Sequence, residues 1–529
     1  MRLPVFLLVS ITNIAHTHKI LVYNPVFGHS MSNFMGSIAD TLVDAGHDVV
    51  THTSLISIID PELRDGTTKA KKVIVKQSEE TKNLYDDFEK TKTDFFAMNN
   101  YSPLGAYFVG RFFGKLFATQ CSAILDEPGL IERLKSQQFD VMIVENFDMC
   151  GVALTEVLQP KAFIGSSSNV AFGPQMEEFG IPAFPSFDPS LYTSGMDVHS
   201  IWDRLLNLYA DFIVRWSYHY MRTDIDDLFR DKFGSAIPSV QSIASQAAFN
   251  FINSEPLIDF ATTTVSKAIH IGGIGVGVPK PLSSDWEAIF SLRDKTVLLS
   301  FGSVCKSIYL SAEIKRSILE TIQQLPDITF IWKYEEEDDF TRNEAAKFPN
   351  LVLSKWMPQS DLLNHPKLTA FITHGGMGST LEMARAGVPA IIIPLFADQP
   401  RNAAMLEHNG LGKILDKFEV RNSTKFAATI REVIGNERYR QKAEHISAML
   451  QKKPHTAKEL VVKHVEFAAE FGAATALRPL SHEMSWIEYR NADIILVGGL
   501  ISVVSAFGAI TMIMYLLKYL IKKTKRKVE

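Results

Sequence analysis

Short apolar strands alternate with amphipathic helices along most of this 529-residue sequence, and this alternation restricts its fold more than any other feature. In the first strand–helix pair, the strand KILVYNP begins at Lys19 and leads through a glycine turn into a helix. The helix has apolar residues at i, i+3 and i+4 spacing and ends at Gly46. Near-continuous apolar strands joined by helices are typical of parallel sheets that are covered on both faces. The sequence therefore predicts an α/β fold with doubly wound parallel sheets.

The alternation occurs in two halves, which a turn-rich segment separates. Further strands of the first half are predicted at Asp48–Ser54, Lys72–Val75, Val141–Val144, Ala162–Gly165 and Ala248–Ile252. Strands of the second half are predicted at Thr296–Ser300, Ile328–Trp332, Leu351–Leu353, Thr369–Thr373 and Ala390–Pro394, with helices from about Ser311, Ser379 and Asp398. Between them, the glycines and prolines of GGIGVGVPKP from Gly272 indicate a linker. We predict an N-terminal domain over residues 18–271, a linker region over 272–295 and a C-terminal domain over 296–480, which face each other across a ligand-binding cleft.

The two ends of the chain indicate a membrane-anchored protein. Residues 1–17 combine the basic Arg2 with an apolar run and small residues, as a secretory signal peptide does. Residues 494–517 carry no charge, and as a helix they would extend about 36 Å, enough to cross a hydrocarbon core of about 30 Å. We therefore predict a cleaved signal peptide, a juxtamembrane segment over 481–493 and one transmembrane helix over 494–517, which is in contact with the lipid bilayer.

The basic residues after the predicted span give its orientation. The tail over residues 518–529 contains six Lys or Arg side chains, and the positive-inside rule places such a tail in the cytosol. Lysines three and five positions from the C-terminus resemble a dilysine retrieval signal, although a plain stop-transfer cluster has a similar composition. We predict a single-pass type I protein of the endoplasmic reticulum membrane with a lumenal body, in which Asn100 and Asn422 are candidate glycosylation sites.

Composition restricts the partners of the chain. The net charge of −5 gives no basic excess for binding nucleic acid. Three cysteines are too few for a disulfide framework in a chain of this length. An aromatic-rich stretch between Pro182 and Ser235 is interpreted as a packed helical segment, and an apolar pocket or a membrane contact is the alternative. The oligomeric state is unknown from the sequence.

The densest group of candidate binding residues lies between Trp356 and Gln399. A strand that ends at Thr373 is followed by the turn His374–Gly376 and by a helix from about Ser379. Glycines let backbone N–H groups approach an anion, and a helix N-terminus adds a positive dipole. A glycine turn alone is also common in ordinary βαβ units. Its function therefore has to be inferred from the side chains around it.

Those side chains have the chemistry that a nucleotide sugar requires. They provide a flat ring for a base, an amide and a carboxylate for a ribose diol, a capping hydroxyl for a phosphate, and an acid–amide pair for sugar hydroxyls. The flat ring is that of Trp356, and the amide and carboxylate are those of Gln359 and Glu382. The hydroxyl is that of Ser379, and the acid–amide pair is Asp398 and Gln399.

The spacing of the whole set resembles the signature of the UDP-glycosyltransferase family, and especially of the membrane-bound UDP-glucuronosyltransferases of animals. THGG at Thr373–Gly376, GVP at Gly387–Pro389 and PLFADQ at Pro394–Gln399 fall in register with that signature. The resemblance covers essentially the full chain, including the linker, the SFGS turn at Ser300–Ser303, the span and the basic tail. It implies a GT-B fold in which the C-terminal domain binds the UDP-sugar and the N-terminal domain binds the acceptor.

The resemblance also implies a role for each matching residue. Trp356 would stack on uracil, and Gln359 and Glu382 would hold the ribose. Asp398 and Gln399 would hold hydroxyls of the donor sugar. The diphosphate would be held by His374, Gly375, Gly376, Ser379 and Ser303. Many relatives have an asparagine where Gly378 stands. One side-chain contact to the donor is therefore expected to be missing in this chain.

The N-terminal domain is expected to supply a general base. His29 follows the first strand, where relatives have a histidine that deprotonates the acceptor hydroxyl, and an imidazole pKa near 6.5 suits this task. A carboxylate usually orients such a base. Glu145, where the family typically has aspartate, is the first choice and Asp148 is the fallback. The alternative is that His29 is a capping or solvent-exposed residue and that the carboxylates cap the next helix.

The predicted reaction is an inverting transfer of a sugar from UDP-glucuronate to a hydroxyl of a small lipophilic acceptor. Neither a metal ion nor a cofactor is expected, because the helix N-terminus and His374 would do the work of a cation. The D-x-D sequence at Asp224–Asp226, a pattern of metal-dependent transferases, is interpreted as part of a helix. A UDP-glucose transferase is the first alternative, because the sequence assigns no cation to the glucuronate carboxylate. An inactive lumenal UDP-sugar-binding protein is the second.

Overall fold

The computed structural model describes residues 17–56, 65–90, 96, 102–170, 172–193 and 197–528. The predicted signal peptide, apart from Thr17, and the sequon at Asn100 lie outside these residues. The chain divides into two compact units, one that ends at Leu477 and one that begins at Arg478.

Within the described residues, the first unit contains two sheets. Their strands β1 to β13 are Lys19–Val26, Asp48–Leu55, Lys71–Val75, Val141–Glu145, Ala162–Ser167, Phe249–Ile252, Ala268–His270, Lys295–Ser300, Ile328–Lys333, Leu351–Ser354, Leu368–Thr373, Ala390–Ile392 and Gly412–Ile414. The N-terminal sheet has the order β3-β2-β1-β4-β5-β6-β7 and the C-terminal sheet the order β10-β9-β8-β11-β12-β13. Every neighbouring pair is parallel, which confirms the predicted doubly wound α/β architecture.

Helices connect the strands. Those of the described residues, α1 to α19, are His29–Asp44, Glu79–Lys90, Pro103–Asp126, Leu130–Lys135, Cys150–Leu158, Gly173–Glu178, Ile201–Phe233, Val240–Ala244, Ser284–Ser291, Ala312–Gln323, Asp339–Asn343, Gln359–Leu363, Met377–Ala386, Gln399–His408, Ser423–Gly435, Glu437–Gln451, Ala457–Phe471, Trp486–Tyr489 and Ala492–Val528. The later part of the aromatic-rich stretch forms the long helix α7, and α9 lies inside the predicted linker region.

Each sheet is buried on both faces, which explains the near-continuous apolar strands. In β1, Leu21 and Tyr23 belong to one core cluster, whereas Ile20 and Val22 belong to the cluster on the opposite face. Successive side chains of a strand point to opposite faces, so a strand between two layers of helices needs apolar residues at every position.

Both sheets reverse their strand order at an inner pair of strands. In the N-terminal sheet the pair is β1 and β4, and in the C-terminal sheet it is β8 and β11. Ligands of open α/β sheets bind beyond the carboxyl ends of the strands at such a switch point. His29 follows β1, Glu145 ends β4, Ser303 follows β8 and His374 follows β11. The topology therefore gathers candidate residues from four distant parts of the chain.

The last long helix of the first unit joins its two halves. Although α17 follows the C-terminal sheet in sequence, its residues Val461, Val465 and Ala468 are buried against the N-terminal sheet and Ile38 of α1. Their spacing places them on one side of the helix. The chain therefore crosses back to the N-terminal half after it has completed the C-terminal sheet.

A disulfide bond joins Cys121 of α3 to Cys150 in the first turn of α5, and Cys305 is free and buried. Neither this pairing nor a disulfide framework was predicted from the sequence. The bond fixes the start of α5, the helix that follows Glu145 and Asp148.

The second unit consists mainly of the helix α19. Residues Ala492–Thr524 of this helix are long and apolar enough to cross a membrane, and none of the apolar segment is buried within the structure. The helix contains the whole predicted span and continues into the basic tail. The chain therefore has one candidate membrane anchor among its described residues.

Candidate active site

The two halves of the first unit line a common cleft with a volume of about 440 Å³. His29 and Ser30 reach it from the N-terminal half. The predicted residues that line it from the C-terminal half are Ser303, Trp356, Gln359, His374, Gly376, Ser379, Glu382, Asp398 and Gln399. The structure thus brings the candidate base and the candidate donor-binding residues to one place.

Glycines on either side of the His374 ring allow the imidazole to lie deep in the cleft. A Cβ atom at Gly302 would lie 2.8 Å from the ring, and one at Gly376 would lie 2.6 Å from its Nε2. Such distances are too short for real side-chain contacts. Gly302 and Gly375 also have positive φ values, of 86° and 82°, which glycine adopts without strain. The glycines of this turn therefore serve both the backbone path and the position of the histidine.

The position of the His374 imidazole disfavours its charged form, and whether His374 acts in place of a cation stays a prediction. Burial, assisted by the positive charge of Lys333, lowers the pKa of His374 to about 4. Its Nδ1 is buried and has no hydrogen-bond partner among the described residues. A neutral His374 can offer hydrogen bonds near neutral pH.

Gln359, Ser379 and Glu382 form a hydrogen-bonded cluster at the start of α12 and α13. Nε2 of Gln359 donates to Oγ of Ser379 at 3.1 Å and to Oε2 of Glu382 at 2.5 Å. The prediction that Ser379 caps the helix is wrong, because α13 begins at Met377 and Gly376 is its N-cap. Ser379 lies within the first turn of α13, and Met377, Gly378 and Ser379 of this turn all line the cleft.

Hydrogen bonds hold Asp398 and Gln399 at the start of α14. Oε1 of Gln399 accepts from the backbone N–H groups of Leu395 and Phe396 at 2.9 and 3.1 Å. This orientation directs the amide nitrogen away from that turn. Oδ2 of Asp398 accepts from Asn402 at 2.8 Å, and burial raises the pKa of Asp398.

The backbone next to this pair links it to the glycine turn. Ala397 lies on the cleft with a φ of 55°, a left-handed conformation that is unfavourable for a residue with a side chain. Asn402 also donates to the carbonyl oxygen of Gly375 at 2.9 Å. The two ligand-facing turns of the C-terminal half are therefore coupled through Asn402.

Lys333, at the end of β9, is a cationic residue of the cleft that the sequence analysis did not identify. Its Nζ donates to the carbonyl oxygen of Gly302 at 2.8 Å and lies 5.3 Å from the centre of the Trp356 ring. A single lysine at a strand end carries no sequence signal of function. Only the folded chain brings its charge between the turn after β8 and the exposed Trp356.

His29 is the first residue of α1 and lies half-buried at the mouth of the cleft. Its ring meets the edge of the Trp356 ring, with 5.4 Å between the ring centres and an angle of 87°. Trp356 is 61% exposed. The candidate base of one half and the candidate base-stacking residue of the other half are therefore in contact.

Glu145 and Asp148 are buried beneath the cleft, and neither is among the described residues that line it. Oε2 of Glu145 accepts from the backbone N–H of Ser168 at 3.1 Å, and Oδ2 of Asp148 accepts from the hydroxyl of Tyr23 at 2.6 Å. Burial raises the pKa of Glu145 to about 8, to which the charge of Asp148 contributes, and raises the pKa of Asp148 to about 7. Whether either carboxylate orients His29 stays a prediction.

Replacement of Glu145 with glutamine is expected to change the pH dependence of stability. The folded protein keeps the Glu145 proton up to about pH 8, whereas an unfolded glutamate loses it near pH 4.3. Between these values the native state loses stability as pH rises, by up to about 1.4 kcal/mol per pH unit. Glutamine binds no proton, so the melting temperature of E145Q relative to the unmodified chain should increase from about pH 5 to pH 8.

Thermal unfolding of the detergent-solubilised chain at a series of pH values measures this difference. The matched variant D148N should show the same sign, with the change complete nearer pH 7. A difference in melting temperature that does not depend on pH would contradict the assignment of a buried, protonated Glu145.

The D-x-D sequence is part of α7, as predicted. Asp224 pairs with Arg111 of α3 at 2.7 Å, and Asp226 accepts from the backbone N–H of Val240 at 2.7 Å. Among the described residues, no group of three or more His, Cys, Asp or Glu side chains has an arrangement that could hold a metal ion. These two aspartates therefore act in the packing of α7.

The sequon at Asn422 is exposed on the second half of the unit. Asn422 is the N-cap of α15, where its side chain accepts from the backbone N–H of Lys425 at 3.0 Å. Its use as a glycosylation site stays a prediction.

Comparison with known proteins agrees with this geometry. The family model described as "UDP-glucoronosyl and UDP-glucosyl transferase" matches residues 18–527. UDP-glucuronosyltransferase 1-2 of Rattus norvegicus is 30% identical over 73% of this chain and 71% of its own length. The ugt-48 protein of Caenorhabditis elegans is 27% identical over 95% of this chain and 96% of its own length.

Solved structures share the fold. The glycotransferase of kitacinnamycin has a TM-score of 0.58 and 15% sequence identity, covering 86% of this chain and 99% of its own. The glycosyltransferase SnogD from Streptomyces nogalater has a TM-score of 0.54 and 17% identity, covering 85% and 99%. Two doubly wound parallel-sheet domains that face a cleft are the GT-B fold. The chain belongs to the UDP-glycosyltransferase family, with UDP-glucuronosyltransferases among its relatives.

Proposed function

We propose that this protein transfers glucuronate from UDP-glucuronate to a hydroxyl group of a small lipophilic acceptor, with inversion at the anomeric carbon. The observation that carries the proposal is the single cleft in which His29 of the N-terminal half faces the donor-signature residues of the C-terminal half. A base and a donor site have to be adjacent for direct transfer, because the acceptor oxygen attacks the carbon that UDP leaves.

In the proposed reaction, His29 is the general base. It takes the proton of the acceptor hydroxyl, the resulting oxygen bonds to the anomeric carbon, and the bond from that carbon to the UDP oxygen breaks. Glu145 is the first choice for the acidic side chain that orients His29 and Asp148 is the alternative. Burial raises the pKa of Glu145 to about 8, so this role as a carboxylate requires Glu145 to lose its proton when the substrates are bound. Both acidic side chains are at the end of β4 beneath the cleft, and Ser168, which lines the cleft, is bonded to Glu145.

Charge stabilisation of the leaving UDP is assigned to Lys333 and to the N-terminus of α13. Lys333 is the cation whose Nζ approaches both the Gly302 carbonyl and the Trp356 ring. The neutral His374 and the hydroxyl groups of Ser303 and Ser379 add hydrogen bonds to the phosphates. No metal ion or cofactor is part of the proposed chemistry.

The proposed roles require a rearrangement of Trp356 when the donor binds. If Trp356 stacks on uracil while His29 reaches the acceptor, the diphosphate and the sugar must occupy the space between the two rings. The present ring contact of 5.4 Å then has to open. The high exposure of Trp356 is compatible with such a movement.

Two other functions use the same cleft. Transfer of glucose is the nearest, because Asp398 and Gln399 are suited to the hydroxyls of either sugar. An inactive UDP-sugar-binding protein is the other, but His29, Asp398 and Gln399 are all in place on the cleft.

We place the catalytic body in the lumen of the endoplasmic reticulum, with α19 as a type I anchor. The disulfide between Cys121 and Cys150 supports an oxidising compartment. The predicted signal peptide and the basic residues that end the chain support the same topology.

Microsomes that contain the full-length protein test the donor and the reaction together. Radiolabelled UDP-glucuronate and UDP-glucose are supplied in parallel with a panel of phenols, and microsomes with H29A serve as the control. We expect labelled conjugate from UDP-glucuronate in the unmodified sample alone. Turnover with UDP-glucose only would contradict the donor assignment, and turnover with neither donor would favour the binding protein.

A further inference from the structure

A short segment of the N-terminal half packs into the core of the C-terminal half. Residues 253–260 follow β6, and we use the name docking segment for them. Ile258 of this segment is buried in the same core cluster as Leu298 of β8 and Phe371 of β11. Its carbonyl oxygen accepts from Nδ2 of Asn409, the C-cap of α14, at 2.7 Å. The docking segment therefore holds the N-terminal half against α14.

A buried ion pair joins the docking segment to the first turn of α14. Nη1 of Arg401 lies 2.8 Å from Oδ1 of Asp259, and the two side chains are 4% and 11% exposed. The guanidinium lies 5.5 Å from the centre of the Phe260 ring. The backbone N–H of Arg401 also donates to the carbonyl oxygen of Leu191, in another segment of the N-terminal half, at 3.3 Å. Arg401 thus fixes the start of α14 to the N-terminal half through its side chain and its backbone.

Arg401 shares its helical turn with the acid–amide pair assigned to the sugar hydroxyls. It is the second residue after Gln399, and the next residue, Asn402, donates to Oδ2 of Asp398 at 2.8 Å. Burial raises the pKa of Asp398, and the positive charge of Arg401 opposes this shift. Asp398 and Gln399 line the cleft, whereas neither Arg401 nor Asp259 is among the described residues that line it. Arg401 therefore reaches the donor sugar through its neighbours.

We propose that Arg401 is a positioning residue for the donor sugar. Its ion pair with Asp259 holds the first turn of α14 against the N-terminal half, so that Asp398 and Gln399 bind the sugar opposite His29. A misplacement of about 1 Å can lower a rate about 10²-fold, even when its origin is far from the reacting atoms. The inference rests on the proposed function in one respect, the assignment of the sugar hydroxyls to Asp398 and Gln399.

A second ion pair of the docking segment provides a matched control. Nζ of Lys453 donates to Oε2 of Glu255 at 2.6 Å, and the two side chains are 20% and 3% exposed. Lys453 lies between α16 and α17. Neither residue is among the described residues that line the cleft. This pair therefore also joins the two halves, but at a point that is outside α14.

Calorimetric titration of the detergent-solubilised full-length chain with UDP and with UDP-sugars tests the proposal. R401M combined with D259N removes both charges of the pair and leaves no buried charge uncompensated. UDP-glucuronate and UDP-glucose are both titrated, and the variants are compared on the sugar that the unmodified chain binds. A wrong donor assignment therefore does not affect the result.

We expect R401M with D259N to bind the UDP-sugar about 10-fold more weakly, which corresponds to the loss of one hydrogen bond to the sugar. Its kcat should fall by about 10- to 100-fold. UDP affinity should stay within about threefold, because UDP lacks the sugar. R401K keeps the positive charge beside Asp259 and should recover most of both losses.

The control variant, E255Q combined with K453M, should keep the UDP-sugar affinity and kcat within about threefold. The same loss in this variant as in R401M with D259N would mean that any contact of the docking segment has this effect, and would overturn the role of Arg401. An equal loss of UDP and UDP-sugar affinity in R401M with D259N would show that Arg401 only supports the fold. Unchanged UDP-sugar affinity and kcat would overturn the proposal as well.

Discussion

Replacement of His29 with alanine is expected to lower kcat by a factor of about 10² to 10⁴ while UDP binds almost as well as before. The loss follows from removal of the group that accepts the hydroxyl proton, whose contribution to catalysis has this size. UDP affinity should change by less than about threefold, because His29 belongs to the N-terminal half of the cleft, whereas the donor-signature residues belong to the C-terminal half. Steady-state transfer assays and calorimetric titration with UDP measure the two effects separately.

Two further variants protect this prediction from a folding artefact. H29Q keeps a polar side chain of similar length without a base of suitable pKa, so its kcat should fall as that of H29A does. S37A changes a half-buried residue of the same helix that is not among those lining the cleft, and it should keep kcat within about twofold. Parallel losses of kcat and UDP affinity in H29A would show that His29 supports the shape of the cleft and is not the base.

The fold could be predicted from the sequence because its strands are buried on both faces. A short apolar run such as that of β4 is compatible with few structures other than a buried strand. Most predicted strands agree with the observed ones to within three residues. The three-residue strands β7 and β13 at the sheet edges gave no comparable signal. The return of α17 to the N-terminal sheet was also not predictable, since an amphipathic helix does not specify which sheet it covers.

The donor side of the site could be predicted because its residues are concentrated in one segment with a recognisable spacing. Details of geometry were not accessible in the same way. The start of α13 was misplaced because a serine is the more usual N-cap, whereas Gly376 takes that position in order to make room for the His374 ring. The charge of His374 and the proximity of Lys333 depend on burial and on side chains from different strands, which no local pattern records.

The position of Lys333 leads to the second large effect: K333M is expected to weaken UDP binding by about 10- to 100-fold and uridine binding by less than about threefold. A hydrogen bond to a charged group contributes about 1.5–3 kcal/mol, which corresponds to this range of affinity. Methionine keeps an unbranched chain of similar length against Trp356, so the surface that stacks on the base is retained. The loss of the positive charge should weaken only the binding of the phosphates, which uridine lacks. Titration with UDP and with uridine at low and high salt measures the two changes in affinity.

The neighbouring lysine provides the matched control for this prediction. K355M removes the same formal charge next to Trp356 at an exposed residue that is not among those lining the cleft, and it should change UDP affinity by less than about threefold. K333R should restore most of the affinity, because a guanidinium can also bond to a phosphate. If K333M weakened uridine and UDP binding equally, Lys333 would act by holding the Trp356 ring and the Gly302 carbonyl in place. The charge of the donor site would then have to be attributed to the N-terminus of α13.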